Sequence, residues 1–190
     1  MSEPRVVRLL SDDQIEELRT FQAPYVDSHL NEGSSEKSYL DKFNSKTQEG
    51  YTNRAWGGKR VARKGKNKVV LHEWFDDINQ VFEEELGSPV IDCNYLRYDV
   101  GDFLVPHRDT YDGFIRGMDG SVYDRKFAII TMVDKSDDLE GGILVIRSED
   151  ESKNTYHSLE IGETIIFPAT LLHECTEIIK GFREVYVCWV

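Results

Sequence analysis

The tripeptide His107-Arg108-Asp109 places an imidazole and a carboxylate two residues apart. In an extended segment alternate residues share a face, so His107 and Asp109 aim one nitrogen and one oxygen at a common point. A third ligand has to come from another strand, and His173, just beyond the apolar run Ile165-Ile166-Phe167-Pro168, is the best candidate. Two imidazoles and one carboxylate on one face of an octahedral metal leave three positions open, a donor set suited to iron(II). A structural metal site is more often closed by further protein ligands. His-x-Asp alone is a weak signal, because chance produces it often and a surface histidine beside an arginine usually does nothing. The flanking sequence gives it weight.

Such ligands need a strand framework, and the sequence after Pro89 supplies one. Segments 90–98, 103–109, 127–133, 143–146, 156–161, 164–167, 173–179 and 183–190 read as short strands. The acidic stretch 134–140 and the pairs Gly141-Gly142, Gly162-Glu163 and Lys180-Gly181 read as turns. No helix-length crossover separates these strands, so a sandwich or jelly roll is expected rather than a parallel sheet. Residues 1–89 read as a mainly helical supporting part. Ser11-Asp12-Asp13-Gln14 is a capping-box pattern, with Ile15, Leu18 and Phe21 behind it and Pro24 expected to end or kink the helix. Segment 31–52 is polar and reads as loop, with room for a short helix. A second helix is expected over 72–86, where Trp74, Phe75, Ile78, Val81, Phe82 and Leu86 fall at helical spacing and Gly87 and Pro89 stop it. Both helices should pack on one outer sheet face.

Composition bounds the remaining choices. The chain has 190 residues, a net charge of −12 and 39% hydrophobic residues, enough for a core and against wholesale disorder. No apolar run reaches the roughly 18–20 residues of a membrane span, so no membrane partner is expected. The N-terminus lacks the apolar stretch of a secretory signal, and Cys93, Cys175 and Cys188 show no metal-ligand spacing. The expected setting is therefore a reducing cytoplasm, with the cysteines as packing residues. The charge also disfavours a protein that coats nucleic acid. Basic residues cluster in segment 54–68, seven of them with no acid between, which reads either as a solvated loop or as a substrate-facing flap.

The segment Tyr98-Asp99-Val100-Gly101-Asp102-Phe103-Leu104-Val105-Pro106-His107-Arg108-Asp109 resembles the first metal-ligand strand of prolyl-4-hydroxylase-like iron(II)/2-oxoglutarate dioxygenases. Leu139-Glu140-Gly141-Gly142-Ile143-Leu144 is similar to that family's glycine pair before a core strand. Phe167-Pro168 through His173-Glu174, then Lys180-Gly181-Phe182-Arg183 and Trp189, is similar to its closing motif. The resemblance covers 90–190 and implies an α+β fold: a double-stranded β-helix (jelly roll) with N-terminal supporting helices, in a single domain of 190 residues. It implies Fe(II), 2-oxoglutarate as cosubstrate and O2, with ascorbate in support. His107, Asp109 and His173 become the metal ligands and catalytic centre, Arg183 and Tyr98 the cosubstrate contacts, and Arg125 a substrate contact.

The tail has its own physical logic. In segment 183–189 alternation puts Arg183, Val185, Val187 and Trp189 on one face, apolar apart from the arginine. A buried guanidinium suits the distal carboxylate of a dicarboxylic cosubstrate, because its planar fork binds carboxylate with two hydrogen bonds and never loses its charge. Relatives can carry a second tyrosine where this chain reads Ala128-Ile129-Ile130-Thr131-Met132-Val133, so another partner for that carboxylate is needed. His29, His72 and His157 lack motif context and read as surface or cap residues. Asp109 argues against a halogenase, and Trp189, standing where nucleic-acid demethylases place a second arginine, disfavours nucleic acid as substrate. The resemblance implies hydroxylation of a prolyl residue in a peptide or protein. A free amino acid or other small molecule is the alternative substrate, and a non-catalytic 2-oxoglutarate or metal sensor the alternative of another class.

Overall fold

A run of strand-forming residues that is apolar on both sides has to be covered on both sides. Arg183–Trp189 is such a run, and every residue in it is buried. The computed structural model describes residues 3–29, 59–60, 75–110, 115–116, 122–123 and 125–190. Among these, in chain order, are β1 (Arg5–Val7), α1 (Asp12–His29), β2 (Lys59–Arg60), α2 (Asp76–Leu86), β3 (Asp92–Tyr98), β4 (Leu104–His107), β5 (Ile115–Arg116), β6 (Val122–Tyr123) and β7 (Phe127–Lys135). They continue with β8 (Glu140–Gly141), β9 (Leu144–Arg147), β10 (Asn154–His157), β11 (Thr164–Pro168), β12 (His173–Cys175), β13 (Ile178–Lys180) and β14 (Arg183–Trp189).

Strand β14 lies inside a six-stranded sheet of order β1-β11-β7-β14-β3-β2, facing a four-stranded sheet of order β10-β9-β12-β4. Small ladders β13-β8 and β5-β6 complete the set, and every pairing is antiparallel. This is the double-stranded β-helix. Two apolar layers follow from strand alternation. Leu96, Tyr98, Ala128, Ile130, Met132, Val185, Val187 and Trp189 face inward, where they meet Leu144, Ile146 and Cys175 of the smaller sheet. Cys93, Tyr95, Ile129, Val133, Tyr186 and Cys188 face outward and are covered by Ile15 and Leu18 of α1 and by Phe75, Ile78 and Phe82 at α2. The helices thus occupy one outer sheet face, as their apolar stripes require.

Register decides which side chains enter the barrel, since a one-residue slip would exchange the faces of β14. Arg183 stands opposite Tyr98 and Glu184 opposite Arg97. Outside the barrel the Glu184 carboxylate accepts from the Tyr95 hydroxyl and, at 2.7 Å, from Arg97 Nη1. Arg97 also donates through Nε to Asp99 at 2.9 Å and lies over the Phe182 ring. Burial, then the Glu184 charge, pushes the Tyr95 phenol far above its ordinary pKa, so it stays a donor. The network leaves the buried Glu184 satisfied and fixes the register that turns Arg183 inward.

The capping box forms: Ser11 N–H donates to Gln14 Oε1 at 2.9 Å, and Gln14 N–H to Ser11 Oγ at 3.2 Å. Gly87, left-handed at φ +64, closes α2 by donating to the Glu83 carbonyl. Other expectations need correction. Helix α1 runs through Pro24 to His29, because a proline removes one donor and crowds one carbonyl without forbidding the helix. Helix α2 begins at Asp76 after Phe75. His72 and Trp74, the loop 31–52 and all of segment 54–68 except Lys59–Arg60 lie outside the described residues. Strands β1 and β2, too short for a periodic signal, add edges to a part read as helical. Segment 173–179 is two strands rather than one, because Thr176 turns aside to exchange hydrogen bonds with Ile143 through its hydroxyl and its backbone N–H.

Phe82 is fully buried between α2 and the sheet. Phe82→Ala is expected to lower stability by about 3–5 kcal/mol. For a chain of this size that corresponds to a fall in Tm of roughly 6–20 °C in a calorimetric scan.

Candidate metal centre

His107 ends β4 and His173 begins β12, and the two residues are direct cross-strand partners. Their rings lie 4.2 Å apart between centroids. Asp109 sits just past β4, held there because its N–H donates to the Ala169 carbonyl at 3.0 Å. Its carboxylate oxygens lie 3.6 Å from His107 Nε2 and 3.6 Å from His173 Nε2. One ligand atom from each residue falls within 4.8 Å of the other two, close enough to share one ion. His173 Nδ1–H donates to the Leu171 carbonyl at 3.0 Å. That bond fixes the tautomer and leaves the Nε2 lone pair aimed at Asp109 and His107. Phe167 packs edge-on against the same ring and holds its plane.

The electrostatics match the donor set. Burial alone would raise the Asp109 pKa, but the facing His173 and His107 outweigh it and hold the carboxyl well below its ordinary range. Those rings carry charge at the acid pH where the carboxyl would titrate, so the two effects are consistent. Burial, reinforced by His107, pushes His173 down to about 4, against the opposing pull of Asp109. At neutral pH the pair is therefore a carboxylate and a neutral imidazole, the protonation states a metal requires. The residues present fit a six-coordinate divalent ion bound through two nitrogens and one oxygen.

Arg183 enters the same interior from the opposite sheet. It is 3% exposed and donates through Nη1 to the Gly142 carbonyl. Its Nε has no partner, and among the described residues no carboxylate pairs with it. The Tyr98 ring lies 5.5 Å from the guanidinium carbon. An inward cation short of acceptors fits an anionic ligand. Arg125 stacks at 3.9 Å over the Trp189 ring. The Trp189 indole N–H faces Asp109 closely enough to help lower its pKa, though it falls short of hydrogen-bond geometry.

All six residues singled out in the sequence therefore converge on one interior: the triad at one end, Arg183 and Tyr98 at the other, Arg125 against the wall beside Asp109. Among the described residues His157 bonds only Thr155 on β10, and Cys93 and Cys188 pack under the helices, as expected of residues without a site role. The sequence reading missed the Gly142 and Leu171 carbonyls, which carry no side-chain signal. It also treated Cys175 as packing, although alternation from His173 already placed it on the inward face.

The sequence model of the 2OG-Fe(II) oxygenase superfamily matches residues 93–190. A PKHD-type hydroxylase of Gloeothece citriformis is 32% identical over 97 residues, covering 50% of this chain and 40% of that protein. A PKHD-type hydroxylase of Phenylobacterium zucineum is 26% identical over 188 residues, covering 97% of this chain and 76% of that protein. Solved structures share the fold. A Pseudomonas putida prolyl-4-hydroxylase matches with TM-score 0.57 at 14% identity, over 100% of this chain and 92% of its own. A Trichoplax adhaerens prolyl hydroxylase, solved with a hypoxia-inducible-factor peptide fragment, matches with TM-score 0.58 at 15% identity, over 100% and 84%. Among the described residues no helix is long and apolar enough to cross a membrane.

His107→Ala is expected to weaken binding of Mn(II), used as a stand-in for Fe(II), by about 100-fold or more in titration calorimetry, while the circular dichroism spectrum stays native. Native-like affinity in that variant would remove His107 from the ligand set.

Proposed function

Because the chain belongs to the 2OG-Fe(II) oxygenase superfamily, we propose that His107, Asp109 and His173 hold iron(II), that Arg183 and Tyr98 hold 2-oxoglutarate, and that the protein hydroxylates a prolyl residue of a peptide or protein. The observation that carries the reading is the inward guanidinium of Arg183, buried without a carboxylate partner among the described residues, in the same interior as the triad. The bound iron and cosubstrate supply oxidative decarboxylation of 2-oxoglutarate coupled to hydroxylation of a C–H bond. The protein supplies position and dryness.

Each residue has a separable task. The two imidazoles and the Asp109 carboxylate would hold the metal through three donors, leaving it able to take cosubstrate and O2. Arg183 takes the distal carboxylate in a bidentate fork and so fixes the cosubstrate's orientation. Tyr98 covers that carboxylate from the neighbouring strand. The apolar layer of Val185, Val187, Ile130 and Met132 excludes water from the path between the two ends. Arg125, supported by the Trp189 ring, is suited to meet a substrate carbonyl near the metal. Helices α1 and α2 brace the larger sheet, and residues 90–190 carry the chemistry, as one domain.

A peptide substrate is supported by the fold it shares with a peptide-bound prolyl hydroxylase. With Fe(II), ascorbate and 2-oxoglutarate, the protein is expected to form succinate, and proline-containing peptides to gain the mass of one oxygen. Oxygen gain only on free amino acids would move the substrate to small molecules. Absence of succinate with any candidate substrate, metal being bound, would make the protein a sensor. Arg183→Ala is expected to raise the 2-oxoglutarate KM by roughly tenfold or more with Mn(II) affinity unchanged.

A further inference from the structure

Cys175 follows His173 by two residues on β12 and shares its inward face. It is 5% exposed, and its sulfur lies 3.4 Å from Arg183 Nη1. Among the described residues the S–H reaches only the Thr176 carbonyl, at 3.6 Å, which is a weak contact even for a thiol. Thiol and guanidinium therefore converge on one volume, each with hydrogen-bonding capacity to spare, since Arg183 Nε is buried without a partner.

Position along the strand adds a second constraint. Two residues of strand rise, about 6.7 Å, separate His173 at the metal end from Cys175 at the arginine end. A dicarboxylate reaching from the triad to Arg183 must lie along this step. Among the described residues Tyr98 of β3 is the hydroxyl-bearing side chain that the larger sheet brings to this end, and β7 and β11 bring none. Ala128, Ile130 and Met132 of β7 and Ile165 and Phe167 of β11 are the inward positions, and all are apolar. Thr131 and Thr164 bond each other at 2.8 Å in register with the helix-facing Ile129, Val133 and Ile166.

We infer that Cys175 is a cosubstrate-binding residue: its thiol donates to the distal carboxylate of 2-oxoglutarate beside Arg183, in place of a hydroxyl from β7. The inference rests on the reading that Arg183 receives this carboxylate. On binding, the S–H rotates from the Thr176 carbonyl toward the ligand, and the sulfur keeps its contact with Nη1. A thiol is larger and a weaker donor than a hydroxyl, so the residue sets both the fit and the strength of this end of the site.

The test is direct binding of 2-oxoglutarate to the Mn(II)-loaded protein by titration calorimetry, without turnover. Cys175→Val removes the donor, adding bulk of about one methyl group, and is expected to weaken 2-oxoglutarate about three- to tenfold, with Mn(II) affinity unchanged. Cys175→Ser restores a donor and is expected to bind within about twofold of native. Native affinity in Cys175→Val together with weakened binding in Arg183→Gln would overturn the role of Cys175 and leave the carboxylate reading standing. Native affinity in both variants would overturn both. A measurement on the unmutated protein guards against misfolded variants: Mn(II) with 2-oxoglutarate should slow iodoacetamide labelling of Cys175, read by peptide mass spectrometry, about fivefold or more, and leave Cys93 and Cys188 unchanged. Equal labelling of Cys175 with and without 2-oxoglutarate would count against the inference.

Discussion

A guanidinium taken out of water without a paired anion costs several kcal/mol, and holding Arg183 in that state is the constraint around which the fold is organised. Strand β14 is flanked on both edges by long antiparallel partners, so its backbone has no freedom to carry the arginine outward. The Glu184 network on the helix-facing side fixes the register from without. From within, Gly142 fixes the stem. At φ +63 it adopts a conformation that side chains resist, and a Cβ there would stand 2.4 Å from Ile178 Cδ1 and 3.0 Å from Arg183 Cδ. The missing side chain makes room for the arginine, and the exposed carbonyl accepts from it. The same glycine thus answers a steric need and a polar one.

The metal end is the electrostatic complement of the arginine end. There the facing imidazoles, charged in acid, hold the Asp109 carboxyl below its ordinary range, and burial keeps His173 neutral at neutral pH. One end of the interior is therefore prepared for a cation and the other for an anion. Neither preparation follows from the chain's net charge of −12, since exposed charges act only within about a Debye length. A ligand that bridges a metal ion and the arginine satisfies both ends at once, and this is why a dianion suits the site better than two separate ions.

How much of this the sequence discloses depends on whether the signal is local. Strand parity is local. It placed His107 with Asp109 and Arg183 with Val185, Val187 and Trp189, and the barrel confirms those shared faces. The Ser11–Gln14 cap and the Gly87 stop are local too, and both form. What depends on pairing partners was not legible. Nothing in Arg5–Val7 or Lys59–Arg60 announces a strand, because each exists only by completing the edge of a sheet made elsewhere. The break after Cys175 depends on Ile143, more than thirty residues away. Asn79 is a similar case: it sits beside Ile78 on the buried face of α2 and accepts from the Tyr186 hydroxyl, a partner the helix pattern could not name.

The two ends of the site belong to different sheets, and this governs how the fold transmits change to it. His107 and His173 are carried by the smaller sheet, Arg183 and Tyr98 by the larger. Arg183 reaches across the layer between the sheets to the Cys175 sulfur, so its distance from the metal end depends both on the step along β12 and on that layer, filled by Ile130, Met132, Leu144, Ile146, Val185 and Val187. Interiors are packed densely enough that losing a methylene is felt by the neighbours. A change in that layer alters the distance from metal to arginine, whereas a change among Leu18, Ile78 and Phe82 on the far side acts on stability while β14, paired on both edges, keeps its place. The protein thus has two cores with different consequences: one supports the larger sheet, and the other sets the length of the ligand the site can hold.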